Sequence, residues 1–177
     1  MRAWLDLIIA AALLAMSGQT AAQPPPQPPQ PQQPQQPPAT PAAVAAGAAA
    51  CRGLPSDQSA AGRLLIERGW AQTRATAQDG GRPPIFGRDN VVILLIVGTT
   101  NGRAHSLCNI LGTVAASVTV ADLIGAINSA VGVAPRETQN NEAAWDLGEQ
   151  GAVLLTLLPG PPQSANLYVM PRAMAAQ

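Results

Sequence analysis

The stretch NVVILLIVGTTNGRAHSLCNIL, residues 90–111, decides the fold. Val91, Val92, Ile93, Ile96 and Val97 are β-branched, which favours a strand, and the apolar run is far shorter than the roughly 20 residues a bilayer crossing needs. Thr99 to Gly102 reads as a turn, and the Asn101-Gly102 pair accepts the positive φ of a two-residue hairpin. Arg103 to Leu111 should then return antiparallel to the first strand. Because apolar residues follow one another without alternation, neither face of the strand at 90–98 favours water.

The same form recurs downstream. GRDNVVILLIVG at 87–98 and GEQGAVLLTLLPG at 148–160 both open on Gly and polar residues, continue with a long apolar run and end in a turn. A helix is expected before each. Asp57 to about Arg68, capped by Ser56, places Ala61, Leu64 and Leu65 on one side and stops at Gly69. The second starts at Thr119, with Asp122 three residues on as in a capping box, and runs through Leu123, Ile124, Ile127 and Val131 to Gly132. Between this helix and the next strands lies a polar loop, 136–142. Short strands are then expected at 143–147, 152–158 and 165–170. Phe86 and Trp145 occupy corresponding places ahead of the two apolar runs.

These segments make an α+β domain over 51–177, with an antiparallel sheet of about five to six strands and two helices. They suggest a tandem duplication of an α-β-β-(β) unit, with halves 51–112 and 113–177. Two helices of this length, each ~18 Å long, cover only one side of a sheet. The other side must be covered by curling of the sheet, by stacking of the two units, or by another subunit. Charge is unevenly placed: residues 51–112 hold seven Arg against four Asp plus Glu, whereas 113–177 hold two Arg against five. Opposite halves attract, within one chain or head-to-tail between chains.

Upstream of the domain the chain changes character twice. Residues 1–22 join an early Arg2 to an apolar stretch, Leu7 to Met16, and end in small residues at Thr20 and Ala22, the pattern of a secretory signal cleaved after Ala22. Residues 23–41 contain ten Pro and seven Gln and nothing charged. Such a tract cannot bury a core, and Pro biases it toward a semi-rigid polyproline II rod. Together with the Ala-rich 42–50, which could add two helical turns before the domain, it reads as a disordered linker from 23 to 50. Arg without Lys, with abundant Ala and Pro, points to a bacterial source and hence to the periplasm. In that oxidising compartment Cys51 and Cys108 are expected to form a disulfide.

Several function classes are excluded or weakened. A net charge of zero and the lack of any basic run argue against nucleic-acid binding. Two thiols without a CxxC spacing and a single His make a poor metal-ligand set. No Walker loop, dinucleotide fingerprint, GxSxG elbow or HExxH is present, so no cofactor is implied. On the return strand Arg103 and His105 share a face and could meet an anionic ligand, whereas Ser106 points the other way. Glu142, Asp146 and Glu149 lie in an acidic, turn-rich region that reads as solvated surface. The expectation is a non-enzymatic exported binding or interaction module, with a protein partner or self-association. The competing class is a small periplasmic hydrolase using His105 or an acidic pair.

Overall fold

The computed structural model describes residues 36–74, 83–100 and 102–171. The expected signal (1–22) and most of the Pro/Gln tract lie outside the described residues. Among these residues three α-helices and eight strands follow in the order α1 (Pro41–Cys51), α2 (Gln58–Glu67), β1 (Ala71–Arg74), β2 (Ile85–Arg88), β3 (Val91–Thr100), β4 (Arg103–Val114), α3 (Val120–Val131), β5 (Glu137–Gln139), β6 (Glu142–Asp146), β7 (Ala152–Leu158) and β8 (Gln163–Met170). All eight strands join one antiparallel sheet, ordered β1-β2-β3-β4-β8-β7-β6-β5. The α+β class is as expected, but the sheet has more strands and the fold one more helix.

The expected hairpin forms, with Thr100 paired to Arg103 across positions 101 and 102 and Gly102 at φ +73°. Each half runs helix, then four strands in a meander. The last strands, β4 and β8, pair with each other from Cys108↔Val169 to Val114↔Gln163. The halves therefore meet edge to edge in a continuous sheet; they do not stack. Phe86 on β2 and Trp145 on β6 take matching places one strand outside each apolar run, and both are buried.

The expected linker of 23–50 is corrected at its carboxyl end. Residues 41–51 are a core helix, entered through Ala39, whose amide donates to the Thr113 carbonyl at 2.6 Å. Thr40 caps it by accepting from the Ala43 amide, and Pro41 at the first turn is preset for helical φ. Helical turns over 42–50 are compatible with the alanines, but the place of the helix in the core escapes a pattern-based reading because it has no polar stripe: Val44, Ala45, Ala48, Ala50 and Cys51 are all buried. It contacts α3 and strands β3, β4 and β8. Small residues permit that approach, and a Cβ at Gly47 would lie 2.9 Å from Ile110 Cγ2.

The other two helices follow the sequence closely. Asp57, rather than Ser56, caps α2 by accepting from the Ala60 amide at 2.8 Å. In α3 the capping box is complete: the Asp122 amide donates to Thr119 Oγ1, while the Thr119 amide donates to Asp122 Oδ2 at 2.8 Å. Strands β1, β2 and β5 are additions to the expected set. They are short, and β5 is wholly exposed, so they carry too few apolar residues to register as strands. Cys51, at the end of α1, is disulfide-bonded to Cys108 on β4.

Candidate functional site

Strand geometry sends alternate side chains to opposite faces. On one face Val91, Ile93 and Leu95 of β3, Ile110 of β4, Leu167 of β8 and Leu155 of β7 are buried. This is the face the helices cover, since α1 meets Ile110 at Gly47, α2 meets Phe86 at Gly62, and Asn128 of α3 accepts from the Trp145 indole at 2.7 Å.

Among the described residues, nothing covers the opposite face. Cross-strand pairs place Val92, Leu111, Asn166, Thr156 and Glu142 in one row, and Leu94, Asn109, Tyr168, Leu154 and Ala144 in the next. Val92, Ile96, Leu111, Leu154 and Leu158 are each more than a third exposed. Aliphatic and polar residues thus share a surface that meets solvent across six strands, β2 to β6 in sheet order. Its centre is polar but uncharged. Asn109 Oδ1 and Asn166 Oδ1 are buried without a hydrogen-bond partner, and Asn166 Nδ2 lies 3.4 Å from Tyr168 Oη. Among the described side chains, charge on this face lies toward its margins, at Arg103, Glu137, Glu142 and Asp146.

Arg103 and His105 do share that face, as the strand reading required, but they differ in setting. His105 is 8% exposed, its ring lying over its cross-strand partner Gly98, where a Cβ would come within 3.0 Å of Nε2. Its Nδ1 is 3.4 Å from the carbonyl oxygen of Arg103, and the Arg103 side chain is exposed. Ser106 turns to the helical side and donates to the Pro55 carbonyl.

The acidic residues do not converge either. Asp146 pairs with Arg136 at 3.8 Å and accepts from the Gly148 amide. Glu142 sits at the other end of the same strand, ~14 Å away by strand rise. Four surface clefts formed by described residues are lined neither by His105 nor by two carboxylates. One of about 330 Å³ holds Arg52 and Arg68, yet both serve helix ends: Arg52 donates to the Val131 carbonyl, and Arg68 to those of Ala50 and Arg52. Among the described residues no group of three His, Cys, Asp or Glu side chains is placed to hold a metal ion.

The perturbed carboxyl is Asp122, held below its ordinary range by the Thr119 amide and then the Thr119 hydroxyl. That shift belongs to helix capping. The uncovered face is therefore the candidate site, and its aliphatic residues were legible in the sequence as an unalternating run. Asn109 and Asn166 were not singled out, because an isolated Asn in a strand gives no signal of the face it takes. No helix among the described residues is long and apolar enough to cross a membrane. No family model, curated protein or solved structure matches this chain.

Proposed function

We propose that this chain is an exported, non-enzymatic protein-interaction module that docks through the uncovered face of its sheet. The observation that carries the reading is the set of exposed aliphatics on one face, Val92, Leu111 and Leu154 among them, opposite the face that carries the buried core and the helices. Soluble domains rarely leave a contiguous aliphatic surface of this breadth open unless something meets it. The leader-like segment at 1–22 and the Cys51–Cys108 disulfide support export to an oxidising compartment, the bacterial periplasm. The Pro/Gln tract would then hold the domain at a distance from its point of export, at ~3.1 Å per residue if extended.

Photo-crosslinking tests this reading. A photoreactive side chain at Val92 or Leu154 should give discrete adducts in cells, whereas one at Arg63 or Ser129, on the helical side, should not. Equal labelling from both sides, or none from the sheet face, would defeat the proposal.

A further inference from the structure

We propose a second interaction surface, separate from the sheet face: the free edge of β4 from Arg103 to Ser106 takes an extended peptide segment of another protein as an added strand.

The register leaves this edge without a neighbour. β3 and β4 pair from Val91↔Gly112 to Thr100↔Arg103, whereas β8 pairs with β4 only from Val114 back to Cys108. Among the described residues no strand lies on the outer side of β4 between Arg103 and Leu107, a stretch ~17 Å long. The hairpin fixes which groups point outward. Across a two-residue turn the flanking pair, Thr100 and Arg103, exchanges both backbone hydrogen bonds, so Arg103, His105 and Leu107 direct their amides and carbonyls to β3. Ala104 and Ser106 direct theirs the other way, as Cys108 does toward Val169 on β8.

The outermost strands of the sheet are blunted, and this edge is not. β1 carries a register shift between Gln72 and Arg74, and β5 is three residues long and includes Glu137. Beside Ala104 and Ser106 the β3–β4 ladder runs without a shift or a Pro, and both side chains are small and uncharged. An edge of regularly spaced amides and carbonyls is complementary to another extended backbone.

The chain's own continuation is a poor occupant. Pairing of β8 with β4 has ended at Val169, and Pro171 has no amide hydrogen to donate to the Ser106 carbonyl. A cleft of about 120 Å³ opens there, with Ser106, Leu54, Val169 and Met170 in its lining. A side chain set opposite Ser106 shares the face of the Ser106 side chain, which turns to Pro55 on the helical side. The cleft thus offers room for an aliphatic side chain of the incoming segment at the root of the hairpin. The ligand class is an extended peptide, free of Pro, with such an anchor toward one end.

A phage-displayed library of random seven-residue peptides, panned against the full chain, tests this. Peptides without Pro and with an aliphatic residue near one end should be enriched. A synthetic copy of one should slow hydrogen exchange at the Ala104 and Ser106 amides at least about tenfold, and leave His105 and Cys108, already in the ladder, unchanged. Ala104→Pro removes one outward donor and no β3–β4 hydrogen bond, so the fold, checked by far-UV circular dichroism, should persist while peptide affinity falls at least about tenfold. If that variant misfolds, the exchange measurement on the unaltered chain decides alone. Absence of enriched peptides, or unaltered exchange at Ala104 and Ser106, overturns the inference. So does slow exchange at Ala104 in the unliganded chain that is lost on deleting 172–177, which would make the tail the occupant, or on dilution, which would make it a second copy. Val92 and Leu154 lie on the sheet face and not on this edge, so photo-adducts from those positions decide the docking role proposed above independently of this outcome.

Discussion

Asn109 on β4 and Asn166 on β8 lie one diagonal apart on the uncovered face, and the side-chain oxygen of each is buried with no hydrogen-bond partner. A buried acceptor left without a donor costs about 1–3 kcal/mol. In the single chain this cost is carried by the fold. Asn109→Leu, of similar shape, should therefore leave thermal stability unchanged or raise it by up to about 1 kcal/mol. Marked destabilisation of the single chain would show that the amide is satisfied in solution.

The helix α1 is a structural member and not the end of a tether. It brings Val44, Ala45 and Ala48 to full burial and carries one half of the disulfide. A chain starting at residue 51 should lose cooperative unfolding, whereas one starting at residue 36 should keep it, as followed by circular dichroism. A cooperative transition in the shorter chain would contradict the packing described.

Joining Cys51 to Cys108 closes a loop across 57 residues of sequence, for which chain entropy gives a stabilisation of about 4 kcal/mol. Replacing both cysteines by serine should lower the denaturation midpoint by the equivalent amount, read from urea unfolding. A change well under 1 kcal/mol would mean that packing alone fixes α1 to β4.

Two glycines should respond in opposite directions. Gly125 lies inside α3 with nothing within 4 Å of an added Cβ, so Gly125→Ala should stabilise by about 0.5–1 kcal/mol. Gly151 has φ +106°, and an added Cβ would fall 1.8 Å from the Met170 carbonyl oxygen. Gly151→Ala should cost about 1–3 kcal/mol or more, with the β7–β8 end of the sheet affected first. Thermal melts of the two variants distinguish them directly.

Acid should weaken α3 through Asp122. Its folded carboxyl lies below the ordinary value because the Thr119 amide, then the Thr119 hydroxyl, donate to the carboxylate. A depressed carboxyl stabilises the fold at pH above the unfolded value of ~3.9 and loses that contribution as pH falls through the folded value. Asp122→Asn should therefore flatten the acid limb of stability below about pH 4. At neutral pH, Thr119→Ala should cost about 1 kcal/mol by removing the cap. An unchanged acid limb in Asp122→Asn would remove Asp122 from the account.

The parts of the fold legible in the sequence are those with local chemistry. Thr119 and Asp122 announce a helix start, Asn101-Gly102 a hairpin, and the apolar run from Val91 a central strand. Compartment chemistry gave the cysteine pair. What escaped is decided by tertiary surroundings. The segment 41–51 is surrounded by α3 and the sheet, so it needs no amphipathic stripe, and its alanines resemble a continuation of the Pro/Gln tract. The edge strands β1 and β5 gain their geometry from pairing with a neighbour more than from their own residues. That both faces of the sheet would be apolar was readable; that the halves would join through β4 and β8, leaving one face open, was not, because strand order has no local signature. Arg103 and His105 did fall on one face, but no residue composition could indicate that Gly98 gives the imidazole a place to pack.

The central claim is that one sheet face, left uncovered among the described residues, is open to solvent and available for docking. Methyl-resolved NMR with a soluble paramagnetic agent measures this directly, because quenching reports exposure at each methyl. In dilute solution the methyls of Val92, Leu111 and Leu154 should be quenched together with those of Ile66 and Val133, which lie off that face. Sheet-face methyls that are protected in the dilute chain while those of Ile66 and Val133 are quenched would contradict the account.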